Sequence, residues 1–117
     1  MASINLDIAS RLDITCRKND TFKLDMDWTD NAGSAIDLTA YTFKAEVRKN
    51  STSSTAIITF SDSDFTKTST GDLTMNKAST DMNIKGGSYV YDLQATKSGE
   101  VKTWLAGDFI INEDVTT

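Results

Sequence analysis

The chain has no proline, no histidine and a single cysteine, Cys16, among its 117 residues. Average usage would place about six prolines in a chain of this length. Proline deletes a ladder hydrogen bond wherever it falls in a sheet, so its absence suits a chain made mostly of paired strands. Without histidine the commonest general base and the commonest zinc ligand are gone, and a Cys–His nucleophile is excluded. One cysteine closes no internal disulfide and builds no cysteine-rich zinc site. Preceded by Ile14 and Thr15, it reads as a small buried hydrophobe on a strand. Basic residues are also few: 12 Lys and Arg stand against 17 Asp and Glu, for a net charge of −5. A nucleic-acid partner needs a basic face to neutralise phosphates, and none is visible. No apolar run approaches the ~20 residues that cross a bilayer as a helix. The opening Met1-Ala2-Ser3-Ile4-Asn5-Leu6-Asp7 lacks the basic and long apolar regions of a secretion signal, so synthesis in a reducing cytoplasm is the expectation. The sequons at Asn19-Asp20-Thr21 and Asn50-Ser51-Thr52 then carry no expectation of glycosylation.

What is present is alternation. Phe22, Leu24, Met26 and Trp28 alternate with Lys23, Asp25, Asp27 and Thr29. Tyr41, Phe43, Ala45 and Val47 repeat the pattern, and so do Tyr89, Tyr91, Leu93 and Ala95. A period of two puts each apolar set on one face of a strand, one side buried and one wet, as in antiparallel sheets. Shorter runs predict further strands at Leu12–Cys16, Ala56–Phe60 and Asp72–Asn76. Val101–Leu105 and Phe109–Ile111 predict one bent strand with Gly107 at the bend. Asp30-Asn31-Ala32-Gly33 and Lys97-Ser98-Gly99-Glu100 read as turns, the second a short hairpin. The segments Asn50–Thr55 and Ser61–Gly71 read as polar loops. Ala78–Ile84 is the one expected helical turn, with Ser79 as its cap and Met82 inward. About seven or eight short strands at this spacing predict a single all-β antiparallel sandwich. Residues 11–117 form that domain, and residues 1–10 a first strand or an arm.

Few constellations carry chemistry. No phosphate-binding or dinucleotide-binding glycine pattern occurs. Fourteen Asp leave a carboxylate pair conceivable. Acid–base work, however, needs one member in an apolar pocket, and these Asp sit at turns or on polar strand faces. Asp25 to Gly33 gathers oxygen ligands, but with the wrong offsets for a calcium loop, and reads as a solvated strand face entering a turn. No catalytic residue, cofactor or metal is therefore expected. Trp28, Tyr41, Tyr89 and Tyr91 fall on the apolar phase and read as core before they read as a sugar platform. Trp104 has two readings. If the phase opposite to Val101, Thr103 and Leu105 faces the core, it is buried. If Val101, Thr103 and Leu105 share the inward phase, it is an exposed anchor for protein or sugar. Ile4, Leu6 and Ile8 alternate with polar residues and form either a first strand or an arm that adds to a neighbour's sheet edge. Trp104 and these three are the candidate partner contacts.

The order of several short motifs resembles one known family. Asp13-Ile14-Thr15, then Lys18-Asn19-Asp20-Thr21-Phe22, opens the pattern. Trp28 to Tyr41, with its Asp30-to-Gly33 turn and Ile36-Asp37-Leu38-Thr39-Ala40-Tyr41, continues it. Gly87-Ser88-Tyr89-Val90-Tyr91-Asp92-Leu93, then Trp104-Leu105-Ala106-Gly107-Asp108-Phe109 and Val115-Thr116, complete it. Together these are similar to the immunoglobulin-like N-terminal domain of phage baseplate upper proteins. The resemblance implies an immunoglobulin-like sandwich in a tailed-phage virion, at the tail or baseplate, made in the host cytoplasm. It implies a structural role without enzymatic activity, with other phage structural proteins as partners in a symmetric assembly and no nucleic acid, membrane or small-molecule substrate. A head-decoration protein and a carbohydrate-binding module for host attachment are the alternatives.

Overall fold

The computed structural model describes residues 10–30 and 32–113. Among the described residues nine strands are distributed between two sheets: β1 (Ser10–Arg11), β2 (Ile14–Arg17), β3 (Phe22–Asp27), β4 (Thr42–Arg48), β5 (Ala56–Phe60), β6 (Phe65–Lys67), β7 (Asp72–Lys77), β8 (Gly87–Lys97) and β9 (Glu100–Asn112). The larger sheet runs β1/β2–β9–β8–β4–β5 and the smaller β3–β7–β6. In immunoglobulin terms the smaller sheet is B–E–D and the larger is G–F–C–C′, with β1 and β2 on the outer side of G. The chain is an all-β, immunoglobulin-like sandwich.

The three alternating runs become β3, β4 and β8, and their apolar phases face a common interior. Phe43, Ala45, Val47, Tyr91, Leu93 and Ala95 are buried there with Phe22, Leu73, Met75 and Phe109. Phe22 stacks between Phe60 and Phe109 at ring-centroid distances of 5.4 and 5.6 Å, so the aromatic core bridges both sheets. Each fully buried aromatic or aliphatic side chain of this kind contributes about 1.5–3 kcal/mol.

Three expectations are corrected. The sheet is not wholly antiparallel: β1 and β2 pair parallel with β9, Ser10 opposite Leu105 and Ile14 opposite Phe109. Leu12 and Asp13 interrupt this ladder, and the Asp13 carboxylate accepts the Asp108 amide at 3.0 Å in place of a carbonyl. Ser61–Gly71 is not a plain loop, because it holds a 3-10 turn (Asp62–Asp64) and β6, whose Phe65 is buried. The helical turn at Ser79–Met82 buries Met82, but Ala78 is its cap and no side chain caps it. A third 3-10 turn, Leu38–Ala40, is capped by Asp37 and was hidden by its brevity. The hairpin at Lys97–Glu100 forms with Ser98 at φ 54° and Gly99 at φ 79°, the left-handed pair of a type I′ turn.

Candidate functional site

At one end of the sandwich the β3–β4 connection meets the β8–β9 hairpin. These correspond to the B–C and F–G loops of an immunoglobulin domain. Between them lies a cleft of about 720 Å³, within the usual size of ligand sites. Its floor is aromatic: Trp28 from the end of β3, Tyr41 from the end of the Leu38–Ala40 turn, and Trp104 from β9. Trp104 lies 5.1 Å from Trp28 and 4.9 Å edge-on from Tyr41, and it also touches Phe43 of the core at 5.6 Å.

Local backbone devices aim these rings. On β9, Leu105 pairs with Leu93 but Thr103 pairs with Gln94, so Trp104 is an extra residue in the ladder. The bulge shifts the alternation by one. Val101 and Thr103 keep to the outer face opposite Thr96 and Gln94, while Trp104 and Leu105 both turn inward. The two sequence readings of Trp104 each describe half of the strand. The ring is half-buried against the core and also lines the cleft. Bulges re-aim side chains in this way beside functional sites.

Trp28 is fixed from its backbone. Its amide donates to the Gly71 carbonyl at 2.8 Å, and its carbonyl accepts the Ile36 amide at 3.3 Å. Gly71, at φ +85°, lies so close that a side-chain carbon there would collide with the Trp28 carbonyl oxygen. The Asp30–Ser34 turn that follows is closed by Asp30, whose carboxylate accepts the Ala32 and Ser34 amides at 2.9 and 3.0 Å. The Trp28 indole Nε1 is buried and has no hydrogen-bond partner among the described residues. An unpaired buried N–H of this kind costs about 1–3 kcal/mol.

The rim is polar and balanced in charge, with Lys97, Lys102, Asp30 and Glu100 around the mouth. The Lys97 ammonium sits 5.3 Å above the Tyr41 ring, a cation–π placement that closes one side. The Lys67 ammonium ties the Tyr41 carbonyl at 2.9 Å to Asp62 at 3.1 Å. Asp62 also accepts the Phe43 amide at 3.0 Å, and this N–H with Lys67 holds its carboxyl below the usual carboxylate range.

A second, smaller groove of about 460 Å³ crosses the outer face of the larger sheet between Arg11, Glu46, Arg48, Asp92 and Asp108. Partial burial there, together with the Glu46 charge, raises the Asp92 pKa, and Arg48 opposes the rise. Across β3 and β7, Asp27 hydrogen-bonds Asp72, which also raises its pKa, but the pair lies on an open strand face with no apolar pocket around it. Among the described residues no three His, Cys, Asp or Glu side chains are grouped to hold a metal. Cys16 is half-buried, and burial reinforced by Asp20 pushes its thiol up to about 11. A thiol held so far above neutrality is a poor nucleophile.

Of the candidate contacts, Trp104 belongs to the cleft, while Ile4, Leu6 and Ile8 lie outside the described residues. Tyr89 and Tyr91 serve the fold. The Tyr89 hydroxyl donates to the Lys85 carbonyl at 2.6 Å, as in the tyrosine corner of immunoglobulin domains, and the Tyr91 hydroxyl donates to the Leu12 carbonyl. Alternation alone gave no sign that Trp28, Tyr41 and Trp104 would converge, because they come from separate elements and Trp104 depends on the bulge. No family model and no curated protein matches the chain. Among solved structures it is similar to an endo-β-1,4-mannanase from Thermotoga petrophila, with TM-score 0.55, 12% identity and 88% of this chain covered. The chain spans 18% of that protein's length. It is also similar to the NK cell receptor NKp44, a triggering partner in natural cytotoxicity, with TM-score 0.42, 11% identity, and 89% of this chain and 100% of that one covered. At 12% identity the likeness to the mannanase domain is one of fold.

Proposed function

We propose that the chain is a non-enzymatic structural subunit of a tailed-phage virion, placed at the tail or baseplate and acting through protein–protein contacts. What supports this reading most is the ordered set of motifs similar to the N-terminal domain of phage baseplate upper proteins, because each motif coincides with a structural device of the sandwich. The Asp30-to-Gly33 segment lies in the turn that follows Trp28, and Asp37 accepts the Thr39 amide and hydroxyl at 3.0 and 2.5 Å to cap the turn before Tyr41. Gly87–Leu93 is the first half of β8 with its two anchoring tyrosines. Such a domain meets neighbours through its loops, strand edges and N-terminal segment, and in a ring those contacts are heterologous.

Electron microscopy of the intact particle tests the proposal. A density for this chain repeated around the tail axis is the expected result. A position on the head shell would replace it with the decoration reading, and absence from purified particles would refute a virion role.

A further inference from the structure

We infer that the cleft between the Trp28–Tyr41 connection and the β8–β9 hairpin binds a neutral pyranoside sugar, a property independent of where in an assembly the chain sits. Four observations converge on it. The cleft lies where the B–C and F–G loops cluster, the end that carries the recognition loops of variable-type domains. Three aromatic side chains from three elements meet there, within 4.9 and 5.1 Å of Trp104. A bulge is spent on turning Trp104 inward, where regular alternation would have sent it to the outer face. Finally, the rim mixes two ammonium groups with two carboxylates.

Those features select the ligand class. A pyranose ring has an apolar C–H face that packs on indole and phenol rings, and a circumference of hydroxyls that both donate and accept. Tilted aromatic walls with Lys97 and Lys102 as donors and Asp30 and Glu100 as acceptors match that alternation. Two positive and two negative charges cancel formally, so the rim creates no net field to select a phosphate or an acidic sugar. A wholly apolar ligand would leave the rim groups without use.

The chain has two tryptophans, both in the cleft, so their indole N–H signals report on it directly. Nitrogen-15-labelled full-length chain is titrated with maltotriose, mannotriose, cellotriose, chitotriose and N-acetyllactosamine up to about 10 mM, and with an unrelated hexapeptide mixture. The expected result is a saturable shift of both indole signals by at least one sugar, with Trp104→Ala weakening it about tenfold or more. Should Trp104→Ala fail to fold, the exposed pair Lys97→Ala and Glu100→Ala, combined, weakens the same sugar about fivefold or more with the amide spectrum otherwise unchanged. The inference is overturned if no sugar shifts the two indoles, if affinity survives the substitutions within twofold, or if only the peptides shift them.

Discussion

At the scale of single residues, two positions near Trp28 have opposite expected signs. Gly71 combines a left-handed φ with a backbone contact that admits no side chain. Gly71→Ala therefore strains the backbone and displaces Trp28, with an expected loss of about 2–4 kcal/mol in a urea melt. Trp28→Phe keeps a ring in the stack and deletes the unpaired buried Nε1–H. Its lost contact area and its relieved polar burial offset each other, so stability should change by less than about 1 kcal/mol, or rise. A loss of several kcal/mol would mean that the indole nitrogen has a partner. Asp92 behaves as a penalty. Its folded pKa is raised, so the ionised form is disfavoured in the native state. That cost is present above the folded pKa and disappears as pH falls below about 3.9, its unfolded value. Asp92→Asn should stabilise the fold at pH 7 and lose that advantage near pH 3.5, as parallel melts at the two pH values would show.

Among the elements, the turns carry the pH response of opposite sign. Asp37 is held below its ordinary pKa by the Thr39 hydroxyl and amide, and Asp62 by the Phe43 amide and Lys67. In Asp64 partial burial works against ionisation, yet Lys77 and the Ser61 amide outweigh it. Depressed folded values mean stability that is present above the unfolded pKa and is lost as pH falls through the folded ones. Stability should fall below about pH 4, and Asp62→Asn should flatten that fall, read from the midpoint of unfolding against pH. The type I′ turn at Ser98-Gly99 makes a further expectation. Asn tolerates the left-handed region better than Ser, so Ser98→Asn should add a few tenths of a kcal/mol, while Gly99→Ala should remove about 1 kcal/mol. The strands themselves were readable because each buries one face, and a period of two survives any detail of packing. β6 was not, because Phe65 is a lone apolar residue among Ser, Thr and Asp, and three residues show no period. The parallel pairing of β1 and β2 was equally hidden, since side-chain alternation is the same in either direction.

For the whole molecule, the sandwich follows from its sequence through three long runs whose buried sets must share an interior. The cleft does not, for it is a product of topology. Trp28, Tyr41 and Trp104 are far apart in the chain and meet only because the β3–β4 and β8–β9 connections fall at one end. The same logic separates the two functional readings. Docking within a particle would draw on the loops, strand edges and N-terminal segment, whereas sugar binding would occupy the hairpin end. A particle whose chain carries Trp104→Ala should then assemble normally yet lose attachment to glycan-coated surfaces, provided the substituted chain folds.

The extra residue at Trp104 has a further effect. It decouples the tip of the β8–β9 hairpin from the body of the strand, because the side-chain sequence of Glu100–Thr103 no longer has to agree in parity with that of Leu105–Ile111. The interior can stay constant while the mouth of the cleft is rewritten residue by residue. Deleting Trp104 would remove the bulge and leave the ladder regular, with Val101 and Thr103 still outward and Lys102 still toward the cleft, so the opening would lose its ring while the strand kept its faces.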